Sequence, residues 1–145
     1  MRLVFFILLA FSMACGPVRN NKAFEKLSYD DQKKYQKYLI LGKDLYSTNC
    51  ASCHQKDGRG LKKLIPPLAG SDYLQKYQIE SAKLIRHGAT QSIQVNGVPF
   101  TPTMPAHAHL STLEIAEVLT YINNSWGNEY GFVDSNQVKD YLEEN

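Results

Sequence analysis

The sequence places two cysteines and a histidine close enough together to act on one cofactor. Residues 50–54 read C-A-S-C-H, so Cys50 and Cys53 are three positions apart and His54 follows directly. Two thiols at this spacing can each form a thioether with one vinyl group of a porphyrin, and the adjacent imidazole can then donate a nitrogen to the iron. The pattern predicts one covalently attached haem, with His54 as an axial ligand.

A second axial ligand is predicted from the methionines. Met1 and Met13 lie in an apolar leader, so Met104 is the methionine that a mature chain would retain. It occupies a P-T-M-P run at 102–105, where the prolines favour a stiff, extended loop. A thioether suits haem iron, and Met/His ligation raises the reduction potential, whereas core filling is the alternative role for a lone methionine. The rival ligands are His87, His107 and His109.

The first fourteen residues resemble an export signal. Arg2 is followed by an apolar run at 3–11, LVFFILLAF, which is shorter than the roughly 20 residues that a transmembrane helix needs. The next segment, S-M-A-C-G at 12–16, is similar to a bacterial lipobox, with Ser12 where leucine is usual. It predicts a lipid on Cys15 and an exported chain anchored at the periplasmic side of a bacterial membrane. An ordinary signal peptide that leaves Cys15 as a free thiol is the alternative.

Helical spacing and turn residues predict a mainly helical domain. Apolar residues recur at helical spacings between about 28 and 50, and Ser111 with Glu114 forms a capping box that opens another helix. An Asn-Gly pair at 96–97 predicts a type I′ turn in a small β-hairpin at 93–100. Further helices are predicted at 71–76, at 79–87 with a stop at Gly88, and at about 138–142, and the helix that starts at Ser111 is predicted to end near 126–127.

Length, charge and cysteine count limit the alternatives. At 145 residues the chain has room for one modest domain, and a net charge of +2 is too small to imply a nucleic-acid partner. With Cys15 committed to a lipid, export argues against a cytosolic zinc or redox-thiol site at the remaining pair of cysteines. The predicted organisation is a lipoprotein-type signal peptide at 1–14, a tether at 15–27, a haem domain at 28–128 and a C-terminal tail at 129–145.

Around the C-A-S-C-H motif, residues 42–128 resemble the class I cytochromes c, the monohaem family. Gly42 and Tyr46 precede Cys50 at the spacing at which that family places a glycine and an aromatic residue in its first helix. The resemblance implies an all-α cytochrome c fold wrapped around one covalently bound haem c, in which this glycine lets the last helix cross closely. Tyr121 fits the aromatic residue that packs into the crossing.

The resemblance also implies a partner for the haem-ligating histidine. Pro66, in I-P-P-L-A-G at 65–70, fits the family proline whose carbonyl accepts the N–H of that histidine and fixes its orientation and basicity. Pro67 is the alternative. The run at 110–128, LSTLEIAEVLTYINNSWGN, is similar to the ending of bacterial cytochromes c associated with respiratory oxidases and denitrification enzymes.

The expected function is that of a single-electron carrier rather than an enzyme. An iron with two protein ligands has no open position for a substrate, so its chemistry is the uptake and release of one electron at a time. Such a carrier is expected to shuttle electrons between membrane-associated respiratory complexes, docking transiently with an oxidase or reductase. Positive side chains follow the haem motif and either steer an acidic partner or form a solvated loop. They are Lys56, Arg59, Lys62 and Lys63.

Three other functions stay open at the level of sequence. The chain can be the haem subunit of an oxidase or reductase complex. Dissociation of Met104 would open the iron to peroxide, nitric oxide or carbon monoxide and give a haem-based catalyst or ligand sensor. Peroxidases of this kind generally look like two-haem chains, and this sequence has one haem motif. Without haem, Cys50 and Cys53 would form a disulfide in a non-haem thiol protein.

Overall fold

A computed structural model describes residues 22–101 and 103–144 of the chain. Within these ranges the chain is mostly helical with a small antiparallel hairpin, which confirms the predicted fold class. None of the described helices is long and apolar enough to span a membrane. The predicted signal peptide and lipid attachment at Cys15 lie outside the described residues. The elements are α1 (Lys22–Glu25), α2 (Tyr29–Asn49), α3 (Ala51–His54), α4 (Asp72–Lys76), α5 (Ser81–His87), β1 (Ile93–Val95), β2 (Val98–Phe100), α6 (Thr112–Asn123) and α7 (Ser135–Glu144).

Serine side chains cap the starts of α2, α4 and α6, close to the predicted positions, whereas α5 begins at Ser81 instead of the predicted 79 and has no side-chain cap. The Ser28 hydroxyl accepts the Asp31 N–H at 3.2 Å at the start of α2, and the Ser71 hydroxyl accepts the Leu74 N–H at 3.1 Å at the start of α4. Ser111 accepts from Glu114 N–H, while the Glu114 carboxylate accepts the Ser111 N–H at 2.7 Å. This reciprocal pair is the predicted capping box of α6.

The α6 helix ends three residues earlier than the predicted end near 126–127. Asn124 caps it with φ −132°, and its N–H bonds the Tyr121 carbonyl. Trp126 and Gly127 then have φ of 55° and 89°, in the left-handed region that interrupts a right-handed helix. The chain therefore turns sharply at the point where the sequence had predicted the last helical residues.

The predicted hairpin is present between α5 and α6. β1 and β2 pair antiparallel with Ile93 opposite Phe100. Asn96 and Gly97 have φ of 52° and 74°, the two positive values that a type I′ turn requires. Asp72 fixes the hairpin to α4, because its carboxylate accepts the Asn96 N–H at 2.6 Å and its own N–H binds the Asn96 side chain at 3.1 Å.

The crossing of α2 and α6 is the central contact of the fold. A Cβ added to Gly42 would lie 2.0 Å from the Glu117 carbonyl oxygen and 2.8 Å from the Tyr121 Cβ. The two helices are therefore closer at this point than any residue other than glycine allows, as the resemblance implied. Tyr121 packs against Tyr46 with ring centroids 5.5 Å apart, which places an aromatic pair beside the crossing.

The segment after residue 128, predicted as a C-terminal tail, packs on the helical core. Val133 and Val138 are buried, with 3% and 0% of their surface exposed, and α7 is ten residues long rather than the five predicted. Phe132 contacts Tyr38 at a centroid distance of 5.3 Å. Lys34 in the first half of α2 forms an ion pair with Asp134, which directly precedes α7. The predicted domain boundaries stay a prediction.

Candidate functional site

A cavity of about 280 Å³ lies among α2, α3, the loop at 64–68, α5 and the segment at 103–107. Its walls include apolar side chains from α6, among them Val118 and Ile122, so the helix crossing forms one side of it. The predicted cofactor residues within the described ranges all line this one cavity. They are Cys50, Cys53, His54, Pro66 and Met104. The structure thus brings together residues that are up to 54 positions apart in the sequence.

His54 is oriented by the loop that follows it. Its Nδ1 lies 3.2 Å from the Pro66 carbonyl oxygen, and a ring nitrogen that donates to a carbonyl leaves Nε2 with a lone pair for a metal. Burial lowers the pKa of His54, with the Pro66 carbonyl opposing and His107 adding to the effect. The neutral imidazole, which is the metal-binding form, is therefore favoured. Pro66, not Pro67, supplies the acceptor.

Gly60 allows the Ile65–Pro66 part of the loop to lie close to the backbone that follows His54. Its N–H donates to the His54 carbonyl at 3.0 Å, and its φ is +65°. A Cβ at this position would lie 2.2 Å from the Ile65 carbonyl oxygen and 2.6 Å from that of Pro66. The sequence alone assigns no role to Gly60, because the contacts that require a glycine there are visible only in the folded chain.

The two motif cysteines differ in exposure. Cys50 is half-buried and Cys53 is exposed, and both thiols are free. Burial, with Cys53 adding to it, raises the pKa of Cys50 to about 11. The Cys50 thiol is therefore neutral at physiological pH, and thioether formation would replace it with another uncharged sulfur.

Met104 is held by backbone pairing with the residues that follow α5. Its N–H donates to the Ala89 carbonyl and its carbonyl accepts the Ala89 N–H, each at 3.0 Å. Gly88 permits this bridge with a φ of +78°, because a Cβ there would lie 2.5 Å from the Met104 carbonyl oxygen. Pro102 lies outside the described residues. The half-buried Met104 side chain lines the same cavity as His54.

The rival histidines lie in different places. Among the described residues that line the cavity, His107 is present, whereas His87 and His109 are not. His109 instead places its Nε2 3.3 Å from the side-chain oxygen of Asn49. Burial, together with His109, lowers the pKa of His107. Of the three rivals, His107 is the one that the fold brings to the cavity.

The arrangement fits a covalently bound haem. The cavity has apolar walls, two free thiols at its edge, an imidazole whose other nitrogen is occupied, and a thioether sulfur. A nitrogen and a soft sulfur are a ligand pair that haem iron takes in proteins. The model of the cytochrome c family matches residues 39–126. The chain belongs to the cytochrome c family.

Membership confirms the resemblance to the class I monohaem cytochromes c. It implies a covalently bound c-type haem, a group that takes up and releases single electrons. Cytochrome c-552 of Thermus thermophilus is 34% identical over 93 residues, which cover 59% of this chain and 68% of that protein.

Other similar proteins are subunits of dehydrogenases. The cytochrome c subunit of alcohol dehydrogenase (quinone) from Gluconacetobacter polyoxogenes is 37% identical over 92 residues, covering 62% of this chain and 19% of the subunit. The cytochrome c subunit of gluconate 2-dehydrogenase from Pantoea cypripedii is 33% identical over 92 residues, covering 60% of this chain and 20% of the subunit. The chain therefore matches about a fifth of the length of these dehydrogenase subunits.

Two side chains to which the sequence analysis gave no role hold the loop at 55–70 of this cytochrome. Trp126 donates its indole N–H to the Lys56 carbonyl at 3.1 Å, and its ring packs on Gly58, where a Cβ would lie 2.5 Å from it. Asn128 makes further bonds to the same loop. Both residues belong to the S-W-G-N run at 125–128, whose polar and aromatic side chains were the one sequence feature that could have drawn attention to them. Their partners in the loop are 58 to 70 positions away in the sequence.

Proposed function

We propose that this chain is a single-electron carrier that holds one haem c through thioethers to Cys50 and Cys53. In this proposal, His54 and Met104 would bind its iron. The observation that carries it is the convergence of all four side chains on one apolar cavity. The haem, when bound, supplies the reversible uptake of one electron.

The surrounding chain prepares the two ligands for that role. The Pro66 carbonyl holds the His54 ring in one orientation, and the bridge to Ala89 holds the Met104 backbone. With both ligands fixed in this way, a bound iron would have no open position, and the apolar walls of the cavity would limit its contact with water. Both features favour electron transfer over catalysis or ligand sensing.

The proposed docking surface for a redox partner is the turn that follows the haem motif. Leu61 and Leu64 are 44% and 70% exposed, and Leu64 also lines the cavity. The Leu61 N–H donates to the Ile65 carbonyl at 3.0 Å, so the turn between them is hydrogen-bonded. The exposed leucines stand among the cations Lys56, Arg59, Lys62 and Lys63. An acidic redox protein with an apolar centre would complement this surface in a transient complex.

The dehydrogenase relatives support a second form of the same function. In it, the chain is the electron-transfer subunit of an oxidoreductase complex rather than a free shuttle between respiratory complexes. The two forms differ in the size of the native assembly: a free carrier would sediment as a small protein after gentle extraction, and a subunit would sediment with its complex.

The sequence before residue 22 supports a location for the carrier. The apolar run at 3–11 and the S-M-A-C-G segment favour export and a lipid on Cys15. We place the carrier on the periplasmic side of a bacterial membrane, tethered by that lipid.

Absorption spectra of the purified protein, oxidised and reduced, test the ligand set. The proposal predicts a sharp α-band in the reduced protein and the weak far-red band of a methionine–ferric iron bond in the oxidised protein. Haem without the far-red band would contradict ligation by Met104. Rapid binding of cyanide or nitric oxide to the ferric protein at neutral pH would instead favour catalysis or sensing.

A further inference from the structure

Asn128 lies outside the cavity but uses its whole amide to hold the loop beside it. Its Nδ2 donates to the Leu68 carbonyl at 2.9 Å and to the Ile122 carbonyl at 2.8 Å. Its Oδ1 accepts the Gly70 N–H at 2.8 Å. The residue is 3% exposed, so its amide is buried where it makes these bonds. An asparagine side chain offers two donors and one acceptor group, and each of them is used here.

The bonds of Asn128 connect α6 to the segment that orients the haem-ligating histidine. Leu68 is two residues after Pro66, whose carbonyl lies 3.2 Å from His54 Nδ1. Pro66 and Pro67 each have a φ fixed by the ring, so the short path from Leu68 to the Pro66 carbonyl is stiff. The Leu68 N–H also donates to the Gly58 carbonyl at 2.7 Å, which ties the other side of the loop.

From this network we propose that Asn128 is a positioning residue for His54. Its amide holds the Pro66–Pro67–Leu68 segment against the end of α6 and thereby fixes the carbonyl that receives the His54 N–H. The acceptor of a ligating imidazole sets both the ring orientation and the basicity of the ligand. Asn128 therefore tunes the iron through Pro66 without touching the haem. This inference rests on the proposed ligation by His54.

Alanine substitutions at two asparagines separate this role from a contribution to stability alone. Asn128→Ala removes the three bonds to the loop and to α6. The matched control is Asn124→Ala, because Asn124 also donates its amide to two carbonyls, those of Thr120 at 2.7 Å and Gly131 at 2.8 Å. The Thr120 bond stays within α6, and the Gly131 bond ties the end of α6 to the segment that leads to α7, which does not carry Pro66.

The readouts are the exchange rate of the His54 Nδ1 proton, followed by NMR in the reduced haem-loaded protein, and the reduction potential. We expect the proton of Asn128→Ala to exchange at least about tenfold faster than in the wild type, which corresponds to about 1.4 kcal/mol. The potential of this variant should also move away from the wild-type value. Asn124→Ala should lose stability while leaving both readouts at wild-type values.

Equal exchange rates and potentials in the wild type and both variants would overturn the positioning role. If Asn128→Ala fails to mature, Asn128→Asp replaces it, because the carboxylate keeps an acceptor for Gly70 N–H but loses both donors. Unchanged exchange in that variant overturns the proposal equally. A wild-type protein without covalent haem would instead refute the proposed function, so the two failures are distinguishable.

Discussion

At the scale of single residues, the site depends on how a histidine and a methionine are held. His54 meets the Pro66 carbonyl through Nδ1, and burial favours its neutral form. Met104 is fixed through its backbone, so its thioether can be removed without removing the bridge that positions the loop. The proposed ligand Met104 can therefore be tested without removing the backbone bridge to Ala89.

Met104→Ala should leave the haem attached, lower the reduction potential and open the sixth position of the iron. The physical reason is that a thioether ligand stabilises ferrous iron relative to harder ligands. Spectroelectrochemistry measures the potential, and the ferric spectrum reports the loss of the far-red band. His107→Ala is the control, because His107 lines the cavity and is the rival ligand. An unchanged spectrum in Met104→Ala, with loss of the wild-type spectrum in His107→Ala, would assign the ligand to His107.

At the scale of elements, the crossing of α2 and α6 and the cap of α6 place the walls of the cavity. Val118 and Ile122 reach the cavity because α6 lies against α2 at Gly42. The capping box at Ser111 sets the residue at which α6 begins. A substitution at the crossing or at the cap should therefore lower the free energy of unfolding, whereas it leaves the residues proposed to hold the haem unchanged.

Gly42→Ala should lower the free energy of unfolding by about 2 kcal/mol. The added methyl would meet the Glu117 carbonyl at 2.0 Å, and a backbone atom cannot move aside as a flexible side chain would. The higher helix propensity of alanine, about 1 kcal/mol, offsets part of the cost. Chemical denaturation measures the difference. Lys43→Ala, on the exposed side of α2, should change stability by less than about 0.5 kcal/mol, and an equal effect of both substitutions would contradict a close crossing.

Glu114→Gln should destabilise the protein by about 0.5 kcal/mol at neutral pH and by nothing in strong acid. Bonds from the Ser111 N–H and hydroxyl lower the pKa of Glu114 below its ordinary 4.5. A lowered pKa means that the carboxylate contributes stability above the ordinary value, and that this contribution disappears as the pH falls through the lowered one. Denaturation of both proteins across the acid range measures the difference. A difference that does not change with pH would exclude the charged cap.

At the scale of the whole molecule, the segment at α1 and the segment that precedes α7 meet on the first half of α2. Phe24 contacts Tyr35 at a centroid distance of 5.5 Å, and Phe132 contacts the same ring at 6.2 Å. Asp134 pairs with Lys34 nearby. The haem motif lies at the opposite end of this 21-residue helix. A tether before α1 would therefore join the domain at the end of α2 that is remote from the cavity.

Cys15→Ala should release the protein from the membrane fraction into the soluble fraction. A lipid on Cys15 is the proposed anchor, and the acyl chains of such a lipid hold a protein at a membrane surface. Fractionation of cells that express the wild type and the variant measures the effect, with Cys53→Ala as a control that keeps the anchor. Continued membrane association of Cys15→Ala would contradict the lipid.

The features that the sequence predicted depend on local signals. The caps at Ser28, Ser71 and Ser111 and the Asn-Gly turn each act within a few residues, so the helices and hairpin follow from composition and spacing. The roles of Pro66 and Gly42 were predicted from the resemblance to the class I cytochromes c and not from a local pattern. The bonds of Asn128 to Leu68 and Gly70 join positions about 60 residues apart, and no local pattern specifies which loop an asparagine will meet. The packing of α7 was missed for the same reason.

Mass spectrometry of the denatured protein, expressed with the cytochrome maturation machinery, tests the central claim most directly. Thioethers to Cys50 and Cys53 would survive denaturation, so we predict a mass above that of the polypeptide by one haem. A variant with both Cys50→Ala and Cys53→Ala, prepared in parallel, should show the polypeptide mass alone. The unmodified mass in the wild-type protein would contradict the account, and a mass corresponding to two haems would contradict the single site.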